Sequence, residues 1–180
     1  MLAIIGGSGL YALEGLQLEQ EHQMTTPFGE PSAPILQGVF AGQPVLFLAR
    51  HGTQHSYLPS EVNYRANIFA LKKLGARRVV GISAAGSLRM EIKPGELSLA
   101  AQYFDHTRGK RAYSFFGNGV VAHVSTANPA CPSLSADIAQ AAGRSGESMH
   151  EGKIYGCVEG PRLGTRAESF FLRDAAQCDL

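Results

Sequence analysis

Residues 2–9 read LAIIGGSG, a short apolar run that passes directly into a glycine-rich segment. A run of this length bounded by turn-forming residues predicts a buried strand that opens into a loop. The same pattern recurs at residues 45–49, 79–82 and 154–158, whose apolar runs end in RHG, SAAGS and EGP. Open α/β sheets bind ligands at the carboxyl ends of their strands, so these four loops are the first candidates for a site.

Helices are predicted between and after these strands. Residues 62–74 carry apolar side chains at helical spacing, with Ser60 as the predicted N-cap and Gly75 as the stop. A second helix is predicted from Ser133 to Gly143, and the T-R-A-E pattern at Thr165 predicts a capping box that begins a third. Strands that alternate with helices favour an α/β fold. No repeat or linker divides the chain, so we expect one domain over residues 1–180.

Composition excludes several classes of protein. The chain has 180 residues, of which 44% are hydrophobic and 17% charged, and its net charge is +1. These values are typical of a globular domain and argue against disorder, and the near-zero charge argues against nucleic acid or an anionic membrane as the main partner. No apolar run approaches the roughly 18 residues of a membrane span, and no basic leader precedes the first strand. We therefore expect a cytoplasmic protein.

The cysteine and phenylalanine residues are predicted to belong to the core. Cys131, Cys157 and Cys178 are an odd number without a CxxC pair, which predicts buried free thiols rather than a disulfide or zinc framework. The pairs Phe115-Phe116 and Phe170-Phe171 are likewise predicted to be buried.

Residues 6–9 (GGSG), which include Ser8, favour an anion-binding loop, since glycines let backbone N–H groups approach a ligand closely. The segment lacks the last glycine of GxGxxG and the Gly-Lys-Ser/Thr of a Walker loop. Leu10 also stands where a GxSxG nucleophile elbow has glycine. The alternative is an ordinary tight turn.

Two further candidates follow predicted strands. Arg50 has a charge and fork geometry suited to phosphate, with His51 as a neighbouring donor, and Ser83 offers a hydroxyl. The alternatives are a surface ion pair, a histidine bonded to a backbone carbonyl, and a bonded serine in a turn. His51 and His55 lack a third ligand and the zincin glutamate, so no metal site is predicted.

Seven segments in order resemble the methylthioadenosine phosphorylase branch of the purine nucleoside phosphorylases: Ile4–Leu10, Arg50–His55, Val62–Ile68, Ser83–Arg89, Phe104–Arg108, Phe115–Gly117, and Glu159–Arg162 with Thr165–Ser169. The resemblance covers nearly all of the chain. It implies a single-domain phosphorylase-like α/β fold with a central mixed sheet flanked by helices. It also implies that inorganic phosphate, as co-substrate, cleaves a purine nucleoside to free base and a pentose 1-phosphate, without metal or cofactor.

The resemblance assigns roles residue by residue. By motif match, phosphate is bound by Ser8, Arg50, His51, Ser83 and Ala84. Leu163 matches a base-stacking position and Gly164 a position linked to substrate preference. His123 matches a residue that reaches a neighbouring subunit's pocket, which implies a homo-oligomer, a trimer in this family.

The sequence departs from the family pattern in ways that leave the substrate open. Leu163 replaces a phenylalanine and Gly164 replaces a serine, so both 6-amino purine nucleosides such as S-methyl-5'-thioadenosine and 6-oxo ones such as S-methyl-5'-thioinosine or inosine remain candidates. The family pattern continues past Leu180 with a segment that holds ribose and with the acid that protonates the purine. We therefore expect a C-terminally truncated domain with negligible turnover, and its catalytic acid is unknown.

Two other classes of function are alternatives. One is a non-catalytic remnant that binds phosphate or nucleoside. The other, a dinucleotide-binding oxidoreductase, is disfavoured by the incomplete glycine fingerprint at residues 6–11.

Overall fold

The computed structural model describes residues 1–7, 9–109 and 111–180. Its contacts divide the chain into two compact units, Met1–Ala84 with Gly109–Asn118 and Ala85–Arg108 with Gly119–Leu180.

A five-stranded mixed sheet forms the first unit. Its strands are β1 (Leu2–Gly6), β2 (Gln17–His22), β3 (Ile35–Phe40), β4 (Gln43–Ala49) and β5 (Arg78–Ile82). Their order across the sheet is β2-β3-β4-β1-β5, in which β1 pairs in parallel with β4 and β5 while the pairs β2–β3 and β3–β4 are antiparallel. The predicted strands β1, β4 and β5 are confirmed, and β2 and β3 are additional.

The core of this unit lies between the sheet and helix α1 (Tyr64–Lys73). Leu46, Phe47 and Leu48 of β4 are at most 1% exposed, and α1 contributes Ala70 and Leu71. Several successive residues of β4 are buried, as expected for a strand covered on both faces. Burial of this apolar surface is the main term that stabilises the unit.

The helix begins later than the sequence predicts. Its N-cap is Asn63, whose side chain accepts a hydrogen bond from Ala66 N, and not Ser60. Asn63 also donates to Phe28 O at 2.6 Å, which fixes its side chain at the helix start. The stop at Gly75 is confirmed, since this residue has φ +91° and donates to Lys72 O.

The second unit contains two strands and two helices. The strands β6 (Leu97–His106) and β7 (Met149–Val158) pair in parallel, and helix α2 (Pro132–Arg144) contacts both. The predicted cap of α2 at Ser133 is wrong: Cys131 is the N-cap, and Pro132 occupies the first turn with a pre-set φ. Helix α3 (Arg166–Phe170) continues into a π-helical turn, Phe171–Ala175.

Two expectations about burial are wrong, that for the phenylalanine pairs entirely and that for the cysteines in part. Both phenylalanine pairs are exposed by 43% to 51%: Phe115 contacts the Phe28 ring at its edge, and Phe171 lies against Phe104 and His106. Of the three cysteines, Cys131 is exposed and Cys157 is half-buried, so the predicted burial is confirmed for Cys178 alone. Residue type alone does not decide burial, because much of the accessible surface of a folded protein is apolar.

The prediction of an α/β fold with a mixed sheet flanked by helices is confirmed. Within the described ranges, none of the helices has the length and apolar character that crossing a bilayer requires.

Candidate functional site

Strand register brings three predicted loops to one level at the edge of the first sheet. Gly6, the last residue of β1, pairs with Ala49 of β4 on one side and with Ile82 of β5 on the other. Gly6, Ala49 and Ile82 thus form one row across the sheet. The next residue of each strand, Gly7, Arg50 or Ser83, lies just beyond this row. This is the carboxyl end of the three parallel strands, where open α/β sheets place ligands.

The Arg50 side chain joins these loops. Its Nη2 donates to Ser83 Oγ at 3.1 Å, its Nη1 to Ile82 O at 3.3 Å, and its Nε to His51 Nε2 at 3.2 Å. Arg50 N also donates to Gly6 O at 3.1 Å. A guanidinium has five N–H groups, so among the described residues two Nη hydrogens remain for an anion. The arrangement holds a positive charge with its fork at the strand ends.

Gly7 makes room for this guanidinium. A Cβ atom on Gly7 would lie 2.5 Å from Arg50 Nη1 and 2.6 Å from Nη2. Any side chain would therefore displace the charge or the backbone. The sequence predicts that the glycines of this loop let a ligand approach the backbone. In the structure, the absence of a side chain at Gly7 lets the Arg50 guanidinium approach the backbone.

His51 orients the arginine in this structure. It is 5% exposed, and its Nδ1 lies 2.9 Å from Tyr57 O. A carbonyl only accepts, so Nδ1 carries the proton and the Nε2 lone pair faces Arg50 Nε. Burial lowers the pKa of His51 below its usual value, the bond to Tyr57 O opposes this, and the charge of Arg50 lowers the pKa further. The neutral imidazole thus fixes the direction of the Arg50 guanidinium.

The second unit carries the other predicted residues. Leu163 and Gly164 lie in the loop between β7 and α3, and the Leu163 side chain is 89% exposed. His123 is exposed in an irregular segment before α2. The residues predicted from sequence therefore form two groups, one in each unit.

Glu168 organises the loop that holds Leu163. Its two oxygens accept from Arg162 Nη2 at 2.6 Å and Nη1 at 2.8 Å, and Thr165 N donates to Oε2 at 2.7 Å. Bonds from Arg162 and then Thr165 lower the pKa of Glu168 to about 2. The predicted capping box is confirmed. Sequence reasoning misses Arg162, because its partner lies six residues away, which matches no helical or strand spacing.

The structure brings Arg50, His51 and Ser83 together with Ala84 next in the chain, while Ser8 lies outside the described residues. The role of these residues in binding phosphate, and that of Leu163, Gly164 and His123 in binding substrate, stay predictions. Among the described residues, no three His, Cys, Asp or Glu side chains are grouped as a metal site requires.

Residues 1–179 match the family model described as the phosphorylase superfamily. The chain belongs to this superfamily. It is 50% identical over 173 residues to S-methyl-5'-thioadenosine phosphorylase of Geobacter sulfurreducens and 48% identical over 172 residues to that of Thermofilum pendens. In both cases 96% of the chain is covered. The predicted branch of the superfamily is confirmed.

Solved phosphorylase structures have the same fold. A methylthioadenosine phosphorylase from an antarctic soil metagenomic library superposes with a TM-score of 0.92 at 45% identity, covering 99% of the chain and 62% of that structure. The Schistosoma mansoni methylthioadenosine phosphorylase in complex with adenine gives a TM-score of 0.92 at 34% identity, covering 99% and 71%. The chain spans 60% of the length of the Geobacter sulfurreducens relative and 65% of that of Thermofilum pendens.

Proposed function

We propose that the protein containing these residues cleaves a purine nucleoside with inorganic phosphate, yielding free base and a (methylthio)ribose 1-phosphate. The observation that carries the proposal is the Arg50 guanidinium, held by His51, Ile82 O and Ser83 at the ends of three parallel strands. The phosphorylase names of its relatives support the reaction class. S-methyl-5'-thioadenosine is the first candidate substrate, and a 6-oxopurine nucleoside such as S-methyl-5'-thioinosine is the second.

The chemistry needs an anion held beside a ribose. A phosphate oxygen forms a bond to the anomeric carbon, the bond from that carbon to the purine nitrogen breaks, and its electron pair leaves with the purine. The sugar passes through an oxocarbenium-like state, which the phosphate charge stabilises. Arg50 and Ser83, with Ser8 and Ala84 by motif match, orient the phosphate and leave one oxygen to attack. The departing purine takes up a proton, and we assign no residue to that transfer.

The base would meet Leu163 and Gly164. Leucine offers an apolar contact to either purine, and glycine adds no polar group that would select between a 6-amino and a 6-oxo substituent. Phosphate is proposed as a co-substrate, and no cofactor or metal is proposed.

A homotrimer is proposed as the assembly, with His123 near the pocket of the neighbouring subunit. Val120, Val121 and Val124 flank His123 and are 57%, 77% and 78% exposed. A contiguous apolar segment of this kind supports a protein interface. The odd number of cysteines does not suggest a disulfide framework, which supports a reducing compartment, so we propose a cytoplasmic location.

The deciding experiment measures base release with and without phosphate. S-methyl-5'-thioadenosine and S-methyl-5'-thioinosine are each incubated with the whole protein that contains these residues and with its Arg50→Ala variant, and adenine or hypoxanthine is quantified. We expect release only with phosphate, and loss of a charge-assisted pair should weaken phosphate binding by roughly 1.5 to 3 kcal/mol in the variant. Base release without phosphate would mean hydrolysis and reject the proposal. Phosphate binding without base release is the result that a non-catalytic binding protein predicts.

A further inference from the structure

The loop between β7 and α3 is fixed by one carboxylate. Three donors converge on Glu168: both terminal nitrogens of Arg162 and the backbone nitrogen of Thr165. Arg108 Nη2 lies 3.7 Å from the same carboxylate. These partners occupy both oxygens and require the ionised form, since a carboxylate only accepts. A bidentate Arg–carboxylate pair fixes the orientation of the guanidinium as well as its distance from the carboxylate.

The Glu168–Arg162 pair also contacts the two residues that are predicted to bind the base, Leu163 and Gly164. Arg162 Nη1 donates to Leu163 O at 3.1 Å, so the arginine that binds Glu168 also holds the Leu163 carbonyl. A Cβ atom on Gly164 would lie 3.8 Å from Glu168 Oε2, in ordinary contact. The Leu163 side chain itself is 89% exposed and contributes little packing that could fix its position.

We propose that Glu168 and Arg162 are positioning residues that hold the 159–165 loop so that Leu163 and Gly164 meet the purine. The inference rests on the proposed function for the identity of the ligand. Neither side chain needs to touch the substrate. Their effect is to present an exposed leucine in one orientation before the base arrives, which reduces the ordering cost of binding.

Glu168 has a second role that the test must separate from the first. Its backbone N–H donates to Thr165 Oγ1 at 3.2 Å, which caps α3. Glu168→Gln keeps the shape of the side chain but replaces one accepting oxygen with a donor that faces Arg162. Thr165→Ala is the matched control, because it removes the helix cap while Glu168, Arg162 and the Thr165 backbone N–H remain.

The experiment measures equilibrium binding of adenine and of inorganic phosphate to the parent and both variants. We expect Glu168→Gln to weaken adenine binding by about tenfold, the scale of one misplaced apolar contact, and to leave phosphate binding unchanged. Thr165→Ala should leave both affinities unchanged at a temperature where all three proteins are folded. Should Glu168→Gln fail to fold, Arg162→Gln tests the same pair with the capping box intact and should give the same selective loss.

Several results would overturn the inference. Parent-like adenine binding by the folded variant would do so, as would an equal loss in Thr165→Ala, which would indicate helix stability alone. A parent that binds no adenine would also overturn it. A parent that binds adenine but releases no base with phosphate rejects the proposed function alone, and the variants still decide the role of the pair.

Discussion

The glycine at position 7 shows how one missing side chain sets the chemistry of a site. A Cβ atom there would meet the Arg50 guanidinium and would also lie 2.7 Å from Ile82 O. Real Cβ atoms do not approach other atoms this closely, so an alanine must move the arginine or push β1 and β5 away from each other. Charge placement at the strand ends therefore depends on a residue that carries no charge.

Gly7→Ala should weaken phosphate binding by about tenfold or more, since it displaces the arginine from its acceptors. Isothermal titration of phosphate into parent and variant measures this. Gly81→Ala in β5 is the control, because a Cβ atom there meets nothing within 4 Å. Equal phosphate affinity in the parent and Gly7→Ala would show that Arg50 is not held as described.

His51 predicts a pH dependence of stability. Its pKa in the folded protein lies below the usual 6.5. The unfolded chain therefore takes up a proton at a higher pH than the folded one, and the free energy of unfolding should fall as pH decreases through 6.5 and level off below the folded pKa.

Urea denaturation from about pH 7.5 to about pH 5 tests this expectation with His51→Gln, which removes the titrating group. The stability of the variant should fall less over this range than that of the parent. Parallel curves for the parent and His51→Gln would contradict the assigned neutral imidazole.

At the scale of elements, helix α1 is tied to the segment before β3 by a buried polar contact. Asn67 is 2% exposed, accepts from Ser32 N at 2.8 Å and donates to Ser32 Oγ at 3.0 Å. The amide satisfies a buried backbone N–H that water does not reach, which explains a polar residue on the apolar face of the helix.

Asn67→Ala should lower the free energy of unfolding by about 2–4 kcal/mol, because it removes two hydrogen bonds and leaves the Ser32 N–H unsatisfied. Chemical denaturation measures the loss. Lys72→Ala on the exposed side of the same helix should change stability by less than about 0.5 kcal/mol. A similar small change for Asn67→Ala would mean that water replaces the amide.

The elements also show where sequence reasoning succeeds. Strands β1, β4 and β5 are predictable because each is a run of apolar residues that ends in a loop. Strand β2, with the sequence QLEQEH, is not predictable in this way, because it is an exposed edge strand without an apolar run. Its extended conformation is stabilised by pairing with β3. Arg50 and Ser83 follow predicted strands, whereas Arg162 depends on a loop conformation that only the folded chain reveals.

At the scale of the whole molecule, the proposed homotrimer can be tested at the exposed valines before α2. Sedimentation velocity at micromolar concentration should give a trimer for the parent protein. Val121→Asp combined with Val124→Asp should shift it toward the monomer, because two carboxylates would be buried in the proposed interface. Met90→Asp, at a position that is 94% exposed in the same unit, should leave the trimer intact. A parent that sediments as a monomer would contradict the proposal.

Strand β1 lies between β4 and β5, which affects how the chain folds while it is being made. Leu2 pairs with Val45 on one side and with Arg78 on the other. Strand β1 is made before both of its partners, β4 and β5, so neither of its edges is bonded until those strands follow, and contacts this distant in sequence form slowly. Until Ile82 has emerged, an apolar segment with an open edge is available to chaperones or to other nascent chains. Slower translation of the residues before β5 should therefore lower the yield of folded protein more than slower translation of the residues after it.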